Sequence, residues 1–179
     1  MNKLKLTPVI EKFILHWGEM GARWGINRTV AQIHALLYIW PQPINAEQIA
    51  ETLSVARSNV STSLKELQGW GIVKVTHVLG DRRDHFESMK DVWEMFQMVL
   101  NERKKREIDP TLAVLRECVA MAEKENPDDV HTRSRLKELL GFFETMTSWY
   151  DQVRGLPHRS LLKFVTLGGK LKGLLGKAS

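Results

Sequence analysis

Residues 45–87 read NAEQIAETLSVARSNVSTSLKELQGWGIVKVTHVLGDRRDHFE, and the pattern is helix, tight turn, second helix, then two strands joined by an arginine-bearing loop. Asn45 is a good helix N-cap and Gln48 stands three residues on, so the pair can satisfy each other's backbone donors before Ile49, Ala50 and Leu53 form an apolar stripe. The first helix is expected over Ala46–Leu53 and the turn over 54–56. In the second helix Val60, Leu64 and Leu67 recur at i, i+4 and i+7 and must face the core. The opposite side carries Ser58, Ser61, Thr62 and Lys65, with Arg57 and Asn59 at the amino end.

Gly69 and Gly71 close that helix, and IVKVTHV has the alternation of a half-buried strand. The chain then turns at Gly80-Asp81, Arg82 and Arg83 sit between Asp81 and Asp84, and HFE begins a return strand. The fold class is therefore mainly α with a small β-wing, a winged helix-turn-helix. In this architecture the amino end and polar face of the second helix meet base edges in the major groove, and small hydroxyls let it approach closely. An arginine in the wing reaches phosphates or the minor groove, and flanking aspartates can hold its guanidinium by bidentate pairing. Taken alone, the loop favours the plainer reading of a solvated hairpin with charges for solubility. The helix-turn-helix upstream turns the balance toward DNA contact, although winged helices also serve as protein-interaction modules.

A chain of 179 residues, 43% hydrophobic and 26% charged, has the balance of a folded globular protein rather than a disordered one. No apolar run approaches a membrane span, and Pro8, Glu11 and Lys12 interrupt any signal-peptide core, so the expected compartment is the cytoplasm. Cys118 is the single cysteine, which excludes an internal disulfide and a multi-cysteine zinc site. A core position is favoured for it over a redox-sensing one. The histidines are scattered, and there is no phosphate loop, metal-ligand spacing or nucleophile with an adjacent base. No catalytic residue, metal or cofactor is expected, and an enzyme is disfavoured.

The formal net charge of +5 looks like a nucleic-acid signature until its distribution is examined. From Gln152 onward there are Arg154, Arg159, Lys163, Lys170, Lys172 and Lys177 and no acid; removing these six from 26 cations leaves 20 against 21 acidic residues. Residues 45–87 are thus no basic block. DNA binding must rest on a few placed cations, doubled by dimerisation.

Two helices precede the helix-turn-helix, at about 8–24 and 28–40, with Asn27 capping the second. Val30, Ile33, Leu36, Leu37 and Trp40 form its buried stripe; Gly18, Gly21 and Ala22 give the first a smooth surface for close crossing, with Trp17 and Trp24 a heptad apart. Ile44 is expected to add a short third strand to the wing. After the wing, Ser88 with Asp91 suggests a capping box for a helix carrying Val92, Phe96 and Val99, ending in the charge run 102–107. Asp109-Pro110 starts another helix with the stripe Leu112, Leu115, Val119 and Ala122. Asn126-Pro127-Asp128 breaks it before a third with Leu136, Leu139, Leu140, Phe143, Met146 and Tyr150. These helices form a self-contained bundle or, more economically, bury themselves against a second copy. The implied organisation is 1–88 as the DNA-binding domain with its N-terminal helices, 89–154 as a helical dimerisation and effector region, and 155–179 as a basic amphipathic tail. The glycines of that tail leave its helix dependent on a surface, with the partner subunit favoured over an anionic membrane or DNA phosphates.

The segments WGEMGARWGINRTVAQIHALLYIWPQPINAEQIAETL, SNVSTSLKELQGWGIVK and GDRRDHFE resemble the GbsR-type branch of the MarR-like winged-helix transcriptional regulators. The first is the most specific, and the likeness weakens after Trp93. The resemblance implies a homodimeric regulator of double-stranded DNA, a repressor, with residues 57–65 similar to the family's recognition-helix contact region and Asp81 with Arg83 to its wing pair. The DNA-contact candidates are Arg57, Ser58, Asn59, Ser61, Thr62, Lys65, Arg82 and Arg83. Ala56 departs from the Ser or Thr that often starts such a helix, a change worth about 1 kcal/mol of capping. The resemblance further implies a small-molecule effector such as choline or a related osmoprotectant. A quaternary ammonium needs an aromatic cage, for which Trp17, Trp24 and Trp93 are candidates. Aromatics at helical spacing are more often core. The competing function is a membrane- or protein-docking adaptor that uses the winged helix as an interaction surface and the tail as an anchor.

Overall fold

Thr7 and Pro8 start the first helix, α1 (Pro8–Arg23): the Thr7 side chain accepts from the Ile10 amide and the proline occupies a position whose missing N–H is not needed. This is a computed structural model, and the described residues are 3–125 and 128–154. Asn27 caps α2 (Arg28–Ile39), accepting from the amides of Thr29 and Val30. The two helices cross closely at Gly21, where a Cβ would lie 2.5 Å from the Cβ of Ala31; at Gly18 it would meet the Gln32 side chain. Ala22, expected on this smooth face, is exposed instead. The helix ends one residue before Trp24, which stands at its C-cap and is exposed, while Trp17 is half-buried against Phe13. α2 is the centre of the core: Ile33 and Leu36 are fully buried, with Val30 and Leu37 beside them, and Trp40 is only half-buried at its end.

The capping box at Asn45 and Gln48 forms as the spacing predicts, with both side chain to backbone bonds at 3.0 Å, and starts α3 (Ala46–Leu53). Ser54 takes the left-handed conformation (φ 53°) at the helix end, and the chain turns into α4 (Arg57–Gly69). Ile49 from α3 and Val60, Leu64 and Leu67 from α4 join the α2 core, together with Ile44, Ile72, Val73, Phe86 and Met95.

Gly71, at φ 75°, turns α4 into the sheet. The strands β1 (Ile44–Asn45), β2 (Val73–Thr76) and β3 (His85–Ser88) are antiparallel in the order β1-β3-β2, so Ile44 does add the third strand. Phe86 faces Val75 on one side and Ile44 on the other, and Asn45 lies opposite His85. Asn45 is therefore paired with His85 in the sheet while its side chain and its own N–H both serve the α3 cap. A mainly α chain with a small β-wing is the fold observed.

Beyond the wing three local expectations are corrected. Ser88 does not cap the next helix: it lies in the ladder opposite Val73, is 2% exposed, and its hydroxyl meets His34 Nε2 at 3.3 Å. Asp91 is the cap, accepting from the amides of Trp93 and Glu94 at 2.8 and 2.9 Å, and α5 runs Val92–Arg103. Of the stripe expected on α5, Val99 packs against the core, but Val92 and Phe96 are about half exposed and Met95 is the buried residue. Finally, the charge run does not end in a break. A wide turn over Lys104–Ile108, in which the Asp109 amide bonds the Lys104 carbonyl, carries α5 directly into α6 (Asp109–Glu125). A proline ring clashes with the carbonyl four residues back in a regular helix, and one π-type turn relieves Pro110 of that clash.

The chain divides into two compact units, residues 1–99 and 100–179. In the second, α6 pairs with α7 (Val130–Arg154); the ion pairs Glu123–Lys137 and Arg116–Glu144 make the pair antiparallel. Leu112 and Leu115 are buried. The single stripe expected on α7 splits in two: Leu136, Leu140, Phe143 and Tyr150 are half-buried, whereas Leu139 and Met146 are exposed. Tyr150 donates to Asn101 Oδ1 at 2.7 Å, and Cys118 is half-buried on α6. Among the described residues no helix is long and apolar enough to cross a membrane. The expectations for Asn126, Pro127 and the tail at 155–179 lie outside the described residues.

Candidate nucleic-acid interface

The apolar side of α4 is sealed into the core, with Val60, Leu64 and Leu67 at 2% exposure or less. Its other side presents Arg57, Ser58, Asn59, Ser61, Thr62 and Lys65, all exposed; Ser63 faces inward and is buried. Ala56 supplies no side-chain hydrogen bond at the start of α4, as its lack of a hydroxyl dictates.

The wing loop between β2 and β3 turns at Gly80 (φ 85°) and is organised by Asp81. Its carboxylate accepts from Arg83 Nε at 2.9 and 3.1 Å, from Arg83 Nη2, and from the Arg83 amide at 3.0 Å. The hydrogen bonds from the Arg83 side chain hold the Asp81 carboxyl far below the ordinary carboxylate range, and those from Asp81 and Glu47 raise the guanidinium above its own. His85, buried in β3, places Nδ1 3.0 Å from the Arg83 carbonyl and Nε2 3.5 Å from Asp81. Arg82 is exposed and makes no ion pair among the described residues. Asp84 faces His77 at 4.0 Å rather than either arginine.

One residue that the sequence reading passed over brings these parts together. Glu47, in the first turn of α3, sets Oε1 3.0 Å from Arg57 Nη1 and Oε2 3.2 Å from Arg83 Nη1. Its only sequence signal is that of an acid favoured near a helix N-terminus. The α3–α4 pair and the wing thereby enclose an open concavity of about 370 Å³ lined by Glu47, Arg57, Ser61, Lys65, Arg83 and Asp84. Ser58, Asn59 and Thr62 lie exposed on α4 beside it, and Arg82 on the wing. Such a surface offers guanidiniums for phosphate and hydroxyls and an amide for base edges.

The aromatic candidates stand at different places in the fold. Trp17 packs at the edge of the core, 5.4 Å between centroids from Phe13; Trp24 ends α1; Trp93 in α5 meets Phe96 edge to face at 6.4 Å. Among the described residues no group of three or more His, Cys, Asp or Glu is placed to hold a metal ion.

Residues 24–84 match the model of the MarR family. The HTH-type transcriptional repressor GbsR of Bacillus subtilis (strain 168) is 24% identical over 136 residues, which is 74% of this chain and 75% of that protein. A crystal structure of a transcriptional regulator aligns with a TM-score of 0.66 and 20% identity over 83% of this chain and 97% of that one, a likeness of fold.

Proposed function

We propose that this chain, a transcriptional regulator of the MarR-like winged-helix type, is a sequence-specific repressor in the cytoplasm that binds double-stranded DNA as a homodimer. The observation that carries the reading is the junction at Glu47, which ties the exposed polar helix α4 to the wing arginine at one concave surface. In this reading α4 enters a major groove, where Arg57, Ser58, Asn59, Ser61, Thr62 and Lys65 face base edges and nearby phosphates. Arg82 and Arg83 reach the flanking backbone or minor groove. Repression is supported by the likeness to GbsR, a transcriptional repressor of Bacillus subtilis.

The homodimer is supported by α7. Leu139, Phe142, Met146 and Trp149 follow the 3-4-3 spacing of a heptad seam and are 46%, 58%, 49% and 60% exposed. A second copy of the same seam buries them, and a two-fold dimer presents two α4 helices to successive turns of DNA. Residues 89–154 then serve as the dimerisation and effector region. A choline-like osmoprotectant is the effector class we propose, with the faces of Trp93 in that region and of Trp17 and Trp24 in the N-terminal helices as candidate contacts; a tryptophan-fluorescence titration with choline tests it, and no response dismisses it.

Gel shift with a duplex from the gene's own upstream region tests the DNA reading. Arg57→Ala and Thr62→Ala are expected to lower specific affinity by roughly 1–3 kcal/mol for a base-reading contact. Arg83→Ala is expected to weaken binding to all sequences and to flatten the salt slope by about one. Unchanged binding by all three variants across several salt concentrations refutes this reading surface.

A further inference from the structure

Resting on the DNA-binding reading above, we infer that Glu47 is a positioning residue of that surface, which holds Arg57 and Arg83 together and competes with phosphate for both, so that DNA offering only backbone contacts is disfavoured. The carboxylate starts from a rigid place. Asn45 and Gln48 bracket it in the capping box, and Asn45 and Ile49 on either side are buried. Its partner Arg57 has a side chain 71% exposed, and Arg83, 44% exposed, is held from its other side by Asp81. Arg57 belongs to α4 and Arg83 to the wing, so this one carboxylate joins the two DNA-facing elements through side chains alone.

The charges explain the discrimination. Arg57 and Arg83 are matched by Glu47 and Asp81, and the cluster is neutral as it stands. A phosphate that approaches the remaining N–H donors of either guanidinium meets a cation already neutralised and the repulsion of the carboxylate beside it. Any duplex supplies phosphates, and against them alone Glu47 acts as a competitor. A cognate duplex also supplies base edges to Ser58, Asn59, Ser61 and Thr62, and it benefits from arginines already held in register with α4. Glu47 therefore costs non-specific binding more than it costs specific binding. Acidic groups placed against the wrong partner are a general source of selectivity.

The test compares wild type with Glu47→Gln on two probes: a duplex selected by the wild-type protein from a random-sequence pool, and a scrambled duplex of the same composition. Each freed cation adds about 0.9 to the salt slope, which is about eightfold in affinity for each tenfold fall in salt. Glu47→Gln frees Arg57 while Asp81 still holds Arg83, and it is expected to bind the scrambled duplex on the order of tenfold more tightly, with a slope steeper by about one, and to lose on the order of tenfold in the ratio of selected to scrambled affinity. An unchanged ratio and slope overturn the inference. So does equal weakening on both probes, which is what loss of a mere support would produce. A wild-type protein that selects no sequence overturns the DNA reading itself, and that outcome appears before the variant is used.

Discussion

His34 should make the stability of this protein fall as the solution is acidified, by an amount that the structure sets. The ring lies in α2 at 6% exposure, with Nε2 3.3 Å from the Ser88 hydroxyl, which in turn donates to the Met89 carbonyl at 3.2 Å. Burial pushes its pKa down from 6.5 to about 4. The native protein thus keeps the ring neutral while the unfolded chain takes up a proton, and stability rises with pH wherever the unfolded state holds more protons. The contribution is complete above pH 6.5, drains as pH falls toward about 4, and is gone below that. A displacement from 6.5 to about 4 corresponds to about 3 kcal/mol in total, at most about 1.4 kcal/mol per pH unit. Urea unfolding across this window measures it, and His34→Gln is the control, because carboxylate titration affects both proteins alike. The quantity to compare is the slope of stability against pH, which the substitution should reduce whatever it does to stability itself. Identical slopes for the two proteins, or a wild type that grows more stable on acidification, would refute the argument.

Gly21→Ala is expected to cost roughly 1–2 kcal/mol in chemical denaturation, because the new methyl meets Ala31 Cβ at 2.5 Å and overpacking outweighs the gain in helix propensity. Gly18→Ala, whose nearest neighbours are atoms of the Gln32 side chain with Cγ at 2.6 Å, should cost less than Gly21→Ala because that side chain can turn aside, and adding Ala31→Gly should restore the Gly21→Ala variant. Ala56→Ser supplies the cap that α4 lacks and should raise stability by about 1 kcal/mol, read as an increase in thermal midpoint. Phe142→Glu combined with Trp149→Glu charges the exposed seam of α7 and should shift the sedimentation equilibrium from dimer toward monomer; an unchanged mass at every concentration would dismiss that face.

How far the sequence could be read depended on the range of the interaction. The Asn45–Gln48 box, the α4 stripe and the glycine turns are settled by neighbours a few residues apart, and they formed as expected. Ser88 and Asp91 are both good caps by local chemistry. What decides between them is the ladder with Val73, which removes Ser88 from consideration, and a local rule does not contain that pairing. On α5 the core takes Met95 and Val99, and leaves Val92 and Phe96 about half exposed. On α7, leucines and aromatics are dense enough to suggest one broad face, and only the position of α6 separates the half-buried row from the exposed one. The positions of the candidate DNA residues on the outer side of α4 follow from its period alone. Glu47 does not: its partner Arg83 is 36 residues away, and nothing in a run of helix-forming residues marks that meeting.

The double use of Asn45 bears on how this protein opens. It stands opposite His85 in the sheet while its side chain and its N–H close the amino end of α3, and the residue is only 2% exposed. Separating β1 from β3 therefore pulls at the cap of α3, and fraying α3 loosens that pairing. The strand and the helix form one cooperative element in the sense of hydrogen exchange: amides of the β1–β3 ladder and of the first buried turn of α3 should share a single opening free energy and respond together to denaturant. The wing is small, but it does not melt on its own account.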